Sequence, residues 1–337
     1  MQTIDDKSPA FATLCRVFYI WVSVFNLFII SSAWSVLADV FSKDFSKRAF
    51  GIISAGASLG GICGASAVGF LREVEVQNFI FLSAFLLLFA LILKNLILNE
   101  ALNLLENDDE KSKFSHKFST PLPSKNPLSG LKIIAKTPYL LLFVGFVLLL
   151  TSVSTFLYME QARIVRAVFE TKEARAAAFA NIDFIVQSAS FFIQIFLTAK
   201  IAKFFGLKWL LGLLGFVIAF GFIMLSFTHP AFWGIALVMS VRRIGEYALV
   251  KPAREMLFVP LDSESKYKVK NFLDTVVYRG GDMISSQIES VGFAKFGVGG
   301  VLLLGGVISL LWGILGLNLS KKYENLKGER KCKDEVF

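Results

Sequence analysis

Residues 139–159, YLLLFVGFVLLLTSVSTFLYM, form an apolar run of 21 residues without a charged side chain. At about 1.5 Å per residue, a helix of this length crosses the roughly 30 Å hydrocarbon core of a bilayer. Eight further apolar stretches of similar length lie at 18–40, 51–71, 79–98, 176–199, 209–227, 232–250, 272–291 and 298–319. The pattern predicts an all-α, polytopic membrane protein with nine transmembrane helices.

The nine stretches form a group of three and a group of six around a polar segment. We therefore divide the chain into a partial N-terminal bundle of three helices, an inter-bundle linker, a six-helix bundle and a basic tail, at 1–98, 99–138, 139–319 and 320–337. The linker mixes acidic residues, lysines and three prolines, a composition typical of a solvated connecting segment.

The composition excludes several classes of protein. A mean hydropathy of +0.63 and 55% hydrophobic residues are too apolar for an ordinary soluble domain of this length. The three cysteines lie far apart and the two histidines fall in predicted loops, so no metal or disulfide pattern is present. No phosphate-binding glycine loop of the ATPase type occurs. We expect no catalytic site, no metal, no cofactor and no enzymatic activity.

The net charge of +9 does not indicate a nucleic-acid partner, because the basic residues are concentrated on one side of the predicted helices. When the connecting segments are assigned to alternate sides, 25 Lys and Arg residues fall on one side and 8 on the other. Basic residues near helix ends resist translocation, so the richer side is predicted to be the cytoplasm. The C-terminus is then cytoplasmic and the N-terminus external.

A stripe of glycines marks the second apolar stretch. Gly56, Gly60 and Gly64 recur at every fourth residue, which produces a surface against which another helix backbone can pack closely. We therefore expect this helix to pack against protein.

Polar and ionisable side chains lie inside three predicted spans, where they are costly unless they face a partner or water. At helical spacing they form three stripes: Thr151, Ser154, Tyr158 and Gln161; Asp183, Gln187, Ser190 and Gln194; and Asp274, Tyr278, Asp282, Ser285 and Glu289. Arg279 lies three residues before Asp282, within its reach. Two interpretations stay open: a water-filled path in which Arg279 attracts an anionic substrate, or buried ion pairs that only orient helices.

A second group of charges lies at the cytoplasmic end of the seventh stretch. It contains Arg242, Arg243, Glu246, Lys251, Arg254 and Glu255, and a group of this kind can bind phosphate. The spacing of Arg242 and Glu246 predicts that part of this charge is paired internally. The candidate substrate-binding residues are therefore Tyr158, Asp183, Gln187, Arg242, Glu246, Asp274, Arg279 and Asp282.

Three segments carry a resemblance to a known family. They are 18–61 (FYIWVSVFNLFIISSAWSVLADVFSKDFSKRAFGIISAGASLGG), 126–165 (NPLSGLKIIAKTPYLLLFVGFVLLLTSVSTFLYMEQARIV) and 242–281 (RRIGEYALVKPAREMLFVPLDSESKYKVKNFLDTVVYRGG). These segments resemble the ATP:ADP antiporter, or nucleotide transporter, family in the form of its bacterial, major-facilitator-like relatives. The resemblance extends over most of residues 14–319.

The resemblance implies a secondary transporter of the bacterial inner membrane that exchanges nucleotides by alternating access, with lipid and a small anion as partners. The best-known exchangers carry a K-x-K-x-x-I-D segment followed by G-K-S-G-G. The matching positions here are Lys268, Lys270, Leu273 and Asp274, and then Tyr278, Arg279, Gly280 and Gly281. Arg279 keeps the cation at the lysine position, whereas the serine is absent.

The helix count departs from the twelve that are usual in this family. The resemblance begins at the family's fourth helix, and an odd count with an external N-terminus agrees with the absence of three helices from the front. One expectation is a carrier whose missing helices come from a separate polypeptide. The alternative is a truncated or split, non-transporting membrane scaffold of the same fold.

Overall fold

The computed structural model is helical, and no strand occurs in the residues that it describes, 9–41, 43–70, 76–105, 107–119, 129–261 and 263–334. In chain order the helices are α1 (Pro9–Val40), α2 (Lys43–Phe70), α3 (Val76–Asn103), α4 (Asp108–Ser119), α5 (Ser129–Lys136), α6 (Pro138–Val168), α7 (Lys172–Phe196), α8 (Thr198–Thr228), α9 (Phe232–Gly245), α10 (Lys251–Met256), α11 (Ser263–Phe272) and α12 (Tyr278–Asp334). Two π-helical turns, Glu246–Val250 and Leu273–Val277, join α9 to α10 and α11 to α12.

The prediction of an all-α, polytopic membrane fold is confirmed. Within the described ranges, five helical segments are long and apolar enough to cross a bilayer: Ile80–Asn103, Pro138–Val168, Ala178–Phe196, Gly206–Thr228 and Ser265–Leu326. Two shorter apolar helices, Val24–Leu37 and Phe50–Gly64, lie within α1 and α2. The count is therefore five rather than nine by this criterion, although the nine predicted stretches fall on α1–α3 and α6–α12.

Backbone interruptions account for part of this difference. The segment Ser265–Leu326 contains two predicted stretches, which meet at Gly297, where φ is 64°. Similarly, α8 is interrupted at Gly206, where φ is 70°. Glycine adopts positive φ without the steric penalty that a Cβ atom brings, so the chain changes direction at these two positions. The predicted stretch 232–250 is divided between α9 and the first π turn.

Helices α8 and α12 approach each other closely. A Cβ atom added to Gly215 would lie 2.4 Å from the Gly313 nitrogen, and one added to Gly316 would lie 2.6 Å from the Leu211 carbonyl oxygen. The Ser309 hydroxyl donates a hydrogen bond to the Gly215 carbonyl oxygen at 2.9 Å. The two backbones are therefore in direct contact, as small residues allow in membrane helices.

The glycine stripe of α2 behaves differently. A Cβ atom added to Gly56, Gly60 or Gly64 would meet nothing within 4 Å in the part of the chain that the structure describes. The face of α2 that carries Ser54 and Ser58 is instead the buried one, and it packs against α7. The helix is packed against protein as expected, but through a face other than the glycine stripe.

The predicted linker and tail both contain helical structure. Within 99–138, α3 ends at Asn103 and the short helices α4 and α5 follow, whereas the linker prolines at 121, 123 and 127 lie outside the described residues. The predicted tail continues α12 as far as Asp334. Its sequence is rich in Lys and Glu, which favour helix formation without a membrane.

The apolar surface of α3 is exposed in the isolated chain. Phe81, Phe85 and Leu88 each expose more than half of their surface, and none of the most apolar window of Ile80–Asn103 is buried. A continuous apolar face of this size agrees with a helix that contacts lipid.

Candidate functional site

A cavity of about 1000 Å³ lies among α6, α7, α9 and the first part of α12. Five of the eight candidate residues line it: Tyr158, Asp183, Arg242, Arg279 and Asp282. Ser154 and Gln161, from the same α6 stripe as Tyr158, also line it. Polar residues that are dispersed in the sequence therefore converge on one space within the bundle, which we call the main cavity.

The charged residues of the main cavity are paired to different degrees. Arg242 Nη1 lies 2.5 Å from Glu246 Oε2, the contact that their spacing predicts. Arg243 forms an ion pair with Asp183. Arg279 Nη1 lies 3.9 Å from Asp282 Oδ2, and 58% of the Arg279 side chain is exposed. Arg279 is thus the cation of this cavity that is least engaged with protein and best placed to meet a ligand.

Asp282 also forms a hydrogen bond with a residue of α6. The Thr155 hydroxyl donates a hydrogen bond to Asp282 Oδ1 at 3.2 Å, and one turn further along α12 the Ser285 hydroxyl lies 2.7 Å from that of Ser152. These contacts fix the rotation of α12 about its axis relative to α6. The stripe predicted from Asp282 to Glu289 therefore faces α6.

Glu246 and Asp274 line a second, smaller cavity of about 200 Å³, which α1 and the two π turns border. Asp274 belongs to a buried cluster with Arg254, Glu255 and Lys270, which we call the Lys270 cluster. Lys270 Nζ lies 2.5 Å from Glu255 Oε2 and 3.0 Å from Asp274 Oδ2, and Arg254 Nη2 lies 3.4 Å from Asp274 Oδ1. Asp274 is therefore engaged in an ion-pair cluster and does not line the main cavity with Asp282.

Gln187 lines a third cavity, of about 210 Å³, between α2, α7 and the first π turn. Next to it, the Ser58 hydroxyl donates to Gln194 Oε1, and Gln194 Nε2 donates to the Tyr247 carbonyl oxygen, both at 2.9 Å. The structure thus distributes the eight candidate residues over three neighbouring cavities and brings five of them together.

The first π turn has a local cause in the sequence. Pro252 lacks an N–H group, so it cannot complete the regular hydrogen-bond ladder of the preceding turn. A carbonyl oxygen of this turn is satisfied from outside, because the Thr198 hydroxyl donates to the Ala248 carbonyl oxygen at 2.8 Å. Widened turns of this kind occur frequently at functional sites, and both π turns border the small cavity.

Helices α1 and α11 are also linked by charge. Asp39 at the end of α1 forms an ion pair with Lys266 of α11, and both side chains are almost fully buried. Sequence patterns miss this pair, and also that of Arg243 with Asp183, because the partners are far apart in the chain.

A further group of charges, absent from the candidate list, lies near the other end of the bundle. Arg163 pairs with both Glu160 and Glu289. The three-residue spacing of Glu160 and Arg163 was a signal available in the sequence.

Comparison with known proteins gives one family. No curated protein sequence matches the chain. The family model of the Major Facilitator Superfamily matches residues 10–250, a region that runs from α1 to the first π turn and includes α6, α7 and α9 around the main cavity. This match covers most of the chain, and its helices carry the apolar lengths that a multi-pass membrane protein requires. The chain therefore belongs to the Major Facilitator Superfamily, and it is a secondary membrane transporter of small molecules.

Proposed function

We propose that this transporter exchanges organic anions of the nucleotide class, ATP and ADP, across a bacterial inner membrane. The observation that carries the proposal is Arg279, which stands half-exposed in the main cavity with only a loose ion pair to Asp282. A cavity of about 1000 Å³ accommodates a ligand of nucleotide size. The sequence resemblance to nucleotide exchangers favours the same substrate class.

The chemistry of the cavity suits a phosphate group. A guanidinium binds phosphate oxygens through two parallel, charge-assisted hydrogen bonds. At 3.9 Å from Asp282, Arg279 has not formed close hydrogen bonds of this kind with the carboxylate. An incoming phosphate can therefore become its main partner without the disruption of a tight pair, whereas Arg242 and Arg243 remain bound to Glu246 and Asp183.

The distribution of ion pairs supports alternating access. The buried pair of Asp39 and Lys266 ties α1 to α11 on the side that the basic residues assign to the cytoplasm. The Lys270 cluster lies on the same side, whereas the main cavity lies further toward the opposite side. We infer that the protein is closed toward the cytoplasm in this conformation, with its C-terminus in the cytoplasm, and that transport separates the Asp39–Lys266 pair.

Reconstitution tests the substrate class. Protein purified from native membranes together with any polypeptide that stays bound to it, and reconstituted in liposomes preloaded with unlabelled ADP, is expected to take up labelled ATP. Unlabelled nucleotides and other organic anions should compete according to their affinity. Adenosine, which has the base and sugar but no charge, is the matched control and should not compete. If no anion of the panel is taken up, the non-transporting scaffold becomes the better interpretation.

We also propose that helices of a separate polypeptide cover the glycine stripe of α2. The support is its exposed surface: Gly60 would accept a Cβ atom without any contact within 4 Å in the described chain, whereas Gly215 is pressed against α12. Gly60→Leu should therefore leave the thermal stability of the isolated chain nearly unchanged but abolish ATP uptake in native membranes. Gly215→Leu, the matched control, should prevent folding. Normal uptake by the Gly60→Leu variant would exclude a partner at this face.

A further inference from the structure

The α6 wall of the main cavity carries an aromatic ring and an amide. Ser154, Tyr158 and Gln161 share one stripe of α6, and all three line the cavity. Tyr158 exposes 56% of its surface, whereas Gln161 exposes only 1%. A tyrosine that is so exposed in a cavity of about 1000 Å³ offers its ring to a flat, aromatic ligand.

The Gln161 amide has an unused hydrogen-bond donor. Its Nε2 is buried and has no hydrogen-bond partner among the residues that the structure describes. A buried donor without a partner is costly, so such a group calls for an explanation. The terminal torsion of glutamine is soft, and rotation of the amide turns this donor toward the cavity that Gln161 lines. A ligand in the cavity can therefore complete the hydrogen bonding of this side chain.

Soft apolar side chains surround the same part of the cavity. Met159, Met239 and Met283 line it, which are half of the six methionines of the chain, and Phe179 lines it from α7. Thioethers adapt to irregular shapes and make favourable contacts with aromatic rings. The concentration of methionine in one cavity therefore favours a ligand that contains a ring system over a purely ionic ligand.

The ring and the amide lie at a different level of α6 from the Arg279 guanidinium. Thr155 marks the level of the guanidinium, because its hydroxyl donates to Asp282, the partner of Arg279. Tyr158 and Gln161 follow Thr155 by three and six residues, so they lie about 4.5 Å and about 9 Å further along the helix axis. A nucleotide that binds Arg279 through its phosphates can therefore place its base beside Tyr158 and Gln161.

We propose that Tyr158 and Gln161 form a base-binding subsite of the main cavity, which recognises the adenine of ATP and ADP. The inference rests on the proposed exchange of nucleotides and assigns selectivity to the base. Tyr158 stacks on the base, as aromatic side chains do in many nucleic-acid complexes. Gln161 pairs with the neighbouring donor and acceptor on one edge of adenine, as glutamine does where proteins read this base. Arg279 supplies the charge, whereas the subsite supplies the preference for a nucleotide over other anions.

The test is equilibrium binding to the purified protein, together with any polypeptide that stays bound to it, measured by calorimetry. The ligands are ADP, UDP and methyl diphosphate, which keeps the charged groups of ADP and has no base. ADP is expected to bind about 10- to 100-fold more tightly than methyl diphosphate, since it adds one stacked ring and the hydrogen bonds of the base. UDP should bind with intermediate affinity, because its smaller ring stacks over less area.

The ratio of the two dissociation constants isolates the subsite, because damage to the phosphate site changes both constants alike. Tyr158→Ala should lower the preference for ADP over methyl diphosphate about 10-fold, whereas Tyr158→Phe keeps the ring and should retain the preference. Gln161→Met keeps the size of the side chain without the amide, and should lower the preference about 5-fold. Phe220→Ala, which removes an exposed ring of α8 outside the main cavity, is the matched control and should keep the wild-type ratio.

Equal affinities of the wild-type protein for ADP and methyl diphosphate would overturn the base-binding subsite and leave anion exchange at Arg279 in place. A wild-type preference in Tyr158→Ala would overturn it as well. Because Tyr158 is largely exposed, this variant decides the question even where Gln161→Met does not fold. If neither ADP nor methyl diphosphate binds, the proposed nucleotide exchange fails together with the subsite.

Discussion

Lys270→Ala is expected to lower the melting temperature of the purified protein by roughly 10 °C. The ammonium of Lys270 is fully buried and lies 2.5 Å from Glu255 and 3.0 Å from Asp274. Its removal leaves two buried carboxylates with one guanidinium, that of Arg254. Loss of one member of a buried ion pair typically costs about 3–5 kcal/mol, because the remaining charge is uncompensated. Thermal unfolding in detergent micelles measures the effect.

Two further variants test whether the loss of stability comes from the unbalanced buried charge. Lys322→Ala removes an exposed lysine of α12 and should leave the melting temperature within about 2 °C of the wild type. Lys270→Met combined with Glu255→Gln removes one charge of each sign and should recover most of the stability, since the remaining Asp274 and Arg254 are balanced. A Lys270→Ala protein that melts like the wild type would mean that the cluster contributes little to stability.

Arg279→Ala is expected to reduce ATP uptake about 10- to 100-fold, the effect of losing about 1.5–3 kcal/mol of charged hydrogen bonding to a phosphate. The side chain is largely exposed within the main cavity, and Asp282 keeps its hydrogen bond from Thr155. The substitution therefore leaves no buried charge without a partner, and membrane insertion and stability should be unchanged. Initial uptake rates at several ATP concentrations in liposomes give the change in apparent affinity.

Conservative and remote substitutions complete this test. Arg279→Lys should retain part of the uptake, because it keeps the charge and loses the two-pronged geometry of the guanidinium. Arg166→Ala, which removes an exposed arginine outside the main cavity, should transport at the wild-type rate. Wild-type rates in Arg279→Ala would exclude this residue from the substrate site.

Local spacing predicted the contacts that lie within a single helix. Residues three or four apart meet on one helix face, and the pairs Arg279–Asp282 and Arg242–Glu246 are accordingly present. The apolar length of each stretch likewise predicted the membrane fold. The helical repeat of the sequence determines which residues share a helix face, but it does not determine which neighbouring helix that face contacts.

Contacts between different helices could not be predicted without knowing how the helices pack against each other. The pairs Arg243–Asp183 and Asp39–Lys266 depend on how helices are rotated against each other, which the sequence of either helix does not determine. The glycines are a second example, because no described residue lies within 4 Å of a Cβ atom added to the regular stripe on α2, whereas the irregular glycines of α8 and α12 bring two backbones into direct contact. The π turn at Leu273–Val277 is a third example, since it contains Asp274 and interrupts the α-helical spacing that would place Asp274 on one stripe with Asp282.

The two π turns give this bundle a mechanical property that regular helices lack. Each turn holds one residue more than an α-helical turn, so it behaves like a dislocation between two well-ordered stretches. A dislocation that moves or closes rotates one stretch against the other by about 100° and shifts it by about 1.5 Å, while each stretch stays internally rigid. The turn at Leu273–Val277 contains Asp274 and lies between Lys270 and the stretch that carries Arg279. The stretch that carries Arg279 can therefore rotate relative to Lys270 and its ion pairs, while the close contact between α8 and α12 stays unchanged.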